Sequence, residues 1–159
     1  MIRSFQSMFA APMLALSLAS AAAAQGAGPP PKALIVALYA EPTLTLEAAR
    51  AASYFARDLD SAIRQDTSNP GEVGVLDFDF RYGAQEVDIS GLQMLQEIDN
   101  DQARVVVVFK NFGHPQSVNW TLCRRTDGQW RIANAASNTS KDSWDLRDML
   151  RLAADRIRC

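Results

Sequence analysis

Two carboxylates and a guanidinium alternate along Leu76-Asp-Phe-Asp-Phe-Arg-Tyr82, with Gln85 just beyond. In an extended segment, period-two alternation puts Asp77, Asp79 and Arg81 on one side and Leu76, Phe78, Phe80 and Tyr82 on the other. Carboxylates at this spacing can work as an acid–base pair or hold a hard cation. Tyr54 and Trp120, with Tyr39, would supply the aromatic wall of a pocket between helix and sheet. The candidate binding residues are therefore Asp77, Asp79, Arg81, Gln85, Tyr54 and Trp120. The competing account of the same residues is a solvated strand face carrying an internal Asp–Arg pair.

Counting residue types removes several other chemistries. The chain has one histidine, His114, between Gly113 and Pro115. A turn there offers no rigid partners for an Asp-His-nucleophile arrangement, so no catalytic residue is assigned. Two cysteines and one histidine cannot close a zinc site, and neither a metal nor another cofactor is expected. In an exported chain Cys123 and Cys159 favour a disulfide, with free thiols or an intermolecular bond as the alternatives. The bridge would pin the last helix to the sheet. A glycine-rich phosphate loop and a basic amphipathic stripe are both missing from the sequence, and nucleic acid is not an expected partner.

The elements that must position these residues are organised around Ala103 to Ala135. Ala103–Phe112 reads as a strand whose core side is Val105, Val107 and Phe109, because the opposite face begins with Arg104 and ends with Lys110. Asn111–Gln116 reads as a break. Ser117–Arg125 reads as a second strand, with Val118, Trp120 and Leu122 on one face and Cys123 on the other. Thr126-Asp127-Gly128 is a tight-turn signal, and Gln129–Ala135 a third strand. Three strands with one apolar face each predict an antiparallel sheet covered on one side. Val87 and Ile89 begin a further strand, with a bulge at Gly91 before Leu92–Ile98.

Ahead of the sheet, Ala33–Ala40 predicts one or two helical turns ending before Pro42. Thr43 or Thr45 can cap a main helix running to Asp66, with Ala48, Ala52, Phe55, Leu59 and Ile63 at helical spacing. Arg50, Arg57, Asp58, Asp60 and Arg64 fall on its outer side. Ser143 or Asp142 can cap a short final helix bearing Leu146, Met149, Leu150 and Ala153.

Residues 1–24 carry a cationic start, an apolar run and a small-residue cleavage region, the pattern of a secretory signal. Residues 25–32 form a Gly/Pro tether, and 33–159 a single α+β domain, periplasmic or secreted. The apolar run is short for a membrane span, so no stable anchor is expected after cleavage. Charge is unevenly placed. Residues 25–101 hold 13 acids against 5 bases, while 102–159 hold 5 acids against 10 bases. The two halves should attract each other in a compact fold.

Helix first, then an antiparallel sheet, is the order of the nuclear-transport-factor-two-like (cystatin-like) cone. The chain also resembles a bacterial envelope family on that fold, the domain of unknown function 3828. The likeness rests on Leu76-Asp-Phe-Asp-Phe ahead of Ala84-Gln85-Glu86, on Ala103–Gly113, and on Asp127-Gly-Gln-Trp-Arg-Ile-Ala133 followed by Ser143–Leu150. It implies an N-terminal helix on a curved sheet of about four strands, a short C-terminal helix and an envelope location, but no activity. A short first helix interrupted by Pro42 departs from the family pattern. The functional expectation is a non-catalytic binding or structural module taking a small molecule or an envelope protein. Its alternatives are a hydrolase or isomerase-like enzyme using Asp77 and Asp79, and an immunity-like partner protein. A homodimer through the outer sheet face at Val106 and Val108 is a further possibility.

Overall fold

A computed structural model of the chain describes residues 28–42, 44–51, 53–66, 74–138 and 143–159. The expected leader at 1–24, the Thr43 and Asp142 caps and the turn at 67–71 lie outside the described residues. The described chain is α+β, built on a five-stranded antiparallel meander in the order β1-β2-β3-β4-β5. The strands are β1 (Ile89–Asp99), β2 (Gln102–Asn111), β3 (His114–Arg124), β4 (Trp130–Ser137) and β5 (Trp144–Asp145). Four short helices accompany them: α1 (Pro31–Ala40), α2 (Leu46–Ala51), α3 (Arg57–Asp66) and α4 (Leu146–Met149).

Strand alternation sorts the faces as the residue pattern predicts. Val105, Val107 and Phe109 of β2 are buried beside Val118, Trp120 and Leu122 of β3 and Ile132 and Ala135 of β4. Ile35 and Leu38 of α1, Leu59 and Ile63 of α3, and Ala49, Phe55 and Phe80 complete the same core. Each fully buried large side chain contributes about 1.5–3 kcal/mol of transfer free energy, so this one face dominates the stability of the domain. The register of β1 on β2 shifts between Ser90 and Gln93, around Gly91 at φ 64°, which is the anticipated bulge.

Several boundaries differ from the sequence expectation. Asn111–Gln116 does not break the ladder: Phe112 (φ 48°) and Gly113 (φ 78°) make a two-residue turn, and Asn111 pairs with His114. Pro115 is tolerated because β4 pairs with β3 only from Asn119 to Arg124, leaving the start of β3 at an edge where a missing N–H costs no ladder bond. Helix α1 begins at Pro31, inside the expected tether, because proline suits the first helical position. It ends at Ala40 with Glu41 extended ahead of Pro42, as anticipated.

The expected main helix is two helices. Thr45 caps α2, its Oγ1 accepting from the Ala48 N–H at 3.1 Å. Ser53 then takes a left-handed φ of 58° and the chain extends. The Ile132 N–H donates to the Tyr54 carbonyl at 2.8 Å, and the Ala56 N–H to the Ile132 carbonyl at 2.7 Å. The length of β4 that β5 leaves unpaired therefore recruits residues 54–56 as a strand stub, and that pairing overrides local helix propensity. Leu76–Tyr82 is not a strand. A single bridge joins Asp79 to Ala84, and residues 80–83 form the turn between them.

At the other end, Asp145 rather than Ser143 caps α4, accepting from Arg147 N–H at 2.9 Å and Asp148 N–H at 3.2 Å. The helix stops at Met149, so the expected stripe through Ala153 is not helical. The last ten residues are instead held by Arg147. Its guanidinium is buried and donates to Asp58 Oδ2 at 2.9 Å and to the carbonyls of Ala133 at 3.2 Å, Ala153 at 2.7 Å and Arg156 at 3.2 Å. One side chain thus ties β4, α3 and the tail together. Cys123 and Cys159 stand at disulfide distance, with Cα atoms 5.8 Å apart, and fasten the end of the tail to β3.

Removing one partner of a buried pair leaves the other charge uncompensated, which costs about 3–5 kcal/mol. Arg147→Gln is expected to lower the unfolding free energy by about that amount in urea titrations. A change below about 1 kcal/mol would show that the pair is dispensable.

Candidate functional site

The residues singled out by sequence fall into two small clusters. In the first, Asp79 and Arg81 form a bidentate pair: Arg81 Nη2 lies 2.6 Å from Asp79 Oδ2 and Nε lies 3.0 Å from Oδ1. Asp79 Oδ1 also accepts the Arg81 backbone N–H at 3.0 Å, so the carboxylate organises the turn as well as the charge. Arg81 Nη1 donates to the Glu41 carbonyl, and the Tyr39 hydroxyl donates to the Arg81 carbonyl. The guanidinium sits over the Tyr82 ring at 5.3 Å. This cluster clamps the 79–83 turn onto the end of α1. In the second cluster, exposed Gln85 donates to Asp77 Oδ2 at 3.2 Å. The carboxylates of Asp77 and Asp79 therefore engage different partners and do not converge.

The aromatic candidates lie inward of these clusters. Trp120 is fully buried, edge-on to Tyr39 at 6.1 Å and to Phe80 at 6.0 Å. Its Nε1 makes no hydrogen bond of standard geometry. Tyr54 is half-buried against the core and gives its carbonyl to β4. Gly83, at φ 64°, lets the 79–83 turn approach Trp144: a Cβ there would fall 2.3 Å from the indole Nε1. His114 is exposed at the start of β3. Val106 and Val108 are half-buried on the outer face of β2, with Leu95 opposite Val106 and largely exposed.

A different set of side chains forms a strongly charged cavity. Arg50, Ser53, Phe55, Arg57, Asp60, Arg64, Arg125, Arg131 and Cys159 enclose about 430 Å³. Five guanidinium groups face one carboxylate, Asp60, which already binds Arg50 at 3.0 Å and Arg64 at 2.9 Å. Arg125 pairs with Asp127 at 3.1 Å. Arg131 donates to neutral oxygens, the Trp130 carbonyl at 2.8 Å and Gln129 Oε1 at 2.7 Å. Its pKa is pushed down, first by burial and then by the neighbouring Arg125 cation. Among the described residues, the arginines lining this cavity outnumber the carboxylates that pair with them.

The fold brings these arginines together from distant parts of the chain. Arg50 is on α2, Arg57 and Arg64 are on α3, and Arg125 and Arg131 flank the β3–β4 turn. The strand stub at 54–56 sets α3 beside β4, and Cys159 closes the wall through its bond to Cys123. The seven-residue spacing of Arg50, Arg57 and Arg64 was the available signal, joined to the basic second half of the chain, although the chain between Arg50 and Arg57 leaves the helix.

A larger cavity of about 840 Å³ lies over Arg104, Asn119, Trp144 and Asp145. Arg104 there donates to Asn119 at 2.6 Å, and Asp145 caps α4 and accepts from Asn134 at 2.8 Å. Among the described residues no three His, Cys, Asp or Glu side chains are placed to hold a metal ion, and no helix is long and apolar enough to cross a membrane. No protein-family model, curated protein or solved structure matches the chain.

The Tyr39 and Tyr82 hydroxyls titrate above their ordinary value of 10.0, in both cases mainly through burial. For Tyr39 this outweighs stabilisation of the phenolate by the Trp120 indole. The fold therefore favours the neutral phenols. Their contribution is complete below the unfolded-state pKa of about 10 and is lost as pH rises above it. Urea midpoints should hold steady to about pH 9 and fall beyond about pH 10, with a shallower fall in Tyr39→Phe. Equal slopes in the two proteins would refute the assignment to Tyr39.

Proposed function

We propose that the chain is a non-catalytic binding module of the cell envelope whose ligand is a small multivalent anion held in the arginine cavity. The observation that carries this reading is the set of five guanidinium groups around one already-paired carboxylate. An arginine fork matches the oxygens of phosphate and carboxylate groups bidentately, and each charge-assisted bond is about twice as strong as a neutral one. An anion between Arg125 and Arg131 would also favour the charged guanidinium against the burial, and then the Arg125 crowding, that lower the Arg131 pKa. A cavity of about 430 Å³ admits a ligand the size of a phosphate ester or a short polycarboxylate.

Among the described residues the cavity offers no nucleophile activated by a base: its hydroxyl is Ser53, and no histidine lines it. Binding without turnover is the chemistry it supports. Export past the leader at residues 1–24 is supported by the Cys123–Cys159 disulfide, a bond that persists in oxidising compartments. The resemblance to the envelope family and its cone fold belongs to the same proposal.

Calorimetric titration of the oxidised protein with inorganic pyrophosphate tests the reading. One equivalent should bind, more weakly as ionic strength rises. Arg131→Gln should weaken binding by about 10–100-fold, the loss of one charged hydrogen-bonding group, without a change in thermal midpoint. Absence of binding, or binding indifferent to Arg131→Gln, would overturn the proposal.

A further inference from the structure

A second basic concavity adjoins the first. Arg57, Asp58, Ser61, Ala62, Gln65, Arg147, Arg151, Leu152, Ala153, Arg156 and Arg158 enclose about 410 Å³. Arg57 lines both cavities. Arg147 and Asp58 are occupied with each other, and the remaining four arginines are exposed. Sharing Arg57 as a lining residue, the two hollows carry eight arginines besides Arg147, against two carboxylates already bound to arginine.

The floor of this track is fixed. The Arg57 N–H donates to the Arg158 carbonyl at 2.9 Å, Arg147 holds the carbonyls of Ala153 and Arg156, and Cys159 is tied to Cys123. Arg156 and Arg158 are thus presented from a backbone whose freedom is already restricted. Such preorganisation reduces the ordering cost of binding.

Resting on the assignment of the first cavity, we infer that the joined cavities bind one unbranched polyanion, a chain carrying phosphoryl groups at short intervals. Two observations favour this over other anionic partners. Among the described residues Phe55 is the one aromatic lining either cavity, and it is buried in the core, so these residues offer no platform on which nucleic-acid bases could stack. The exposed large apolar residues of the described chain, Val36, Val75, Val87, Leu92, Leu95, Ile98 and Phe112, all lie outside these cavities, which are concave and lack the apolar contacts of a membrane-inserting surface.

Chain length is the variable that tests the inference. The oxidised full chain is titrated with pyrophosphate, tripolyphosphate and long-chain polyphosphate, and separately with single-stranded DNA and with phosphatidylglycerol vesicles. Two linked subsites should make long-chain polyphosphate bind roughly 100-fold more tightly than pyrophosphate. The double variant Arg156→Gln/Arg158→Gln should abolish that gain and leave pyrophosphate affinity unchanged. Reducing the disulfide should act in the same direction by freeing the tail. If pyrophosphate binds at the Arg131 cavity but affinity does not grow with length, or the double variant keeps the gain, the joined track is refuted and the first cavity stands. If pyrophosphate itself does not bind, the earlier reading has failed. DNA or vesicles bound as tightly as polyphosphate would overturn the choice of ligand.

Discussion

The buried guanidinium of Arg147 is the contact on which the shape of this domain depends. A charge taken out of water must meet its opposite and satisfy its five donors, or the chain does not keep it inside. Arg147 meets that demand with Asp58 from α3, a carbonyl from β4 and two carbonyls from the tail. It therefore converts residues 153–158, which have no regular structure, into a wall. The disulfide acts on the same segment from its far end, and closing a loop of this length contributes about 3–4 kcal/mol in the chain-entropy model. Both basic hollows border this wall.

A second constraint is the incomplete pairing of β4. Strand β5 covers Ala136 and Ser137 only, and the open stretch at Ile132 recruits residues 54–56. This recruitment divides a helix that local spacing alone would run unbroken. It also decides the direction of α3, and with it where Arg57 and Arg64 point. Ordering that looks like a defect in a helix thus serves the sheet, and the charged groups come together as a consequence.

The polar residues most conspicuous in the chain have a structural explanation. Asp79 and Arg81 form a tight pair that caps a turn, and Tyr39 donates to the same turn from α1. Their alternation with aromatic residues imitates a strand because Phe78, Phe80 and Tyr82 do face inward, although the backbone between them turns. The arginine cavity was harder to see in one dimension. Its charges are spread from residue 50 to residue 131, and at each position a solvated surface arginine was the simpler reading. The complementary charge of the two halves was visible, yet among the described residues Asp60 is the one carboxylate of the acidic half that lines this cavity.

By itself the chain determined the central strands and which of their faces is buried, because period-two patterning follows from backbone geometry and apolar side chains leave water wherever they can. Val105, Val107, Phe109, Val118, Trp120 and Leu122 were legible for that reason, as were the Gly91 bulge, the stop before Pro42 and the partnership of Cys123 with Cys159. Tertiary structure alone decided the break after α2, the Asp145 cap, the burial of Arg147 and the assembly of Arg50, Arg57, Arg64, Arg125 and Arg131 around one hollow. Those features depend on hydrogen bonds and charges that meet across tens of residues, and no local pattern records which distant donor will find which acceptor.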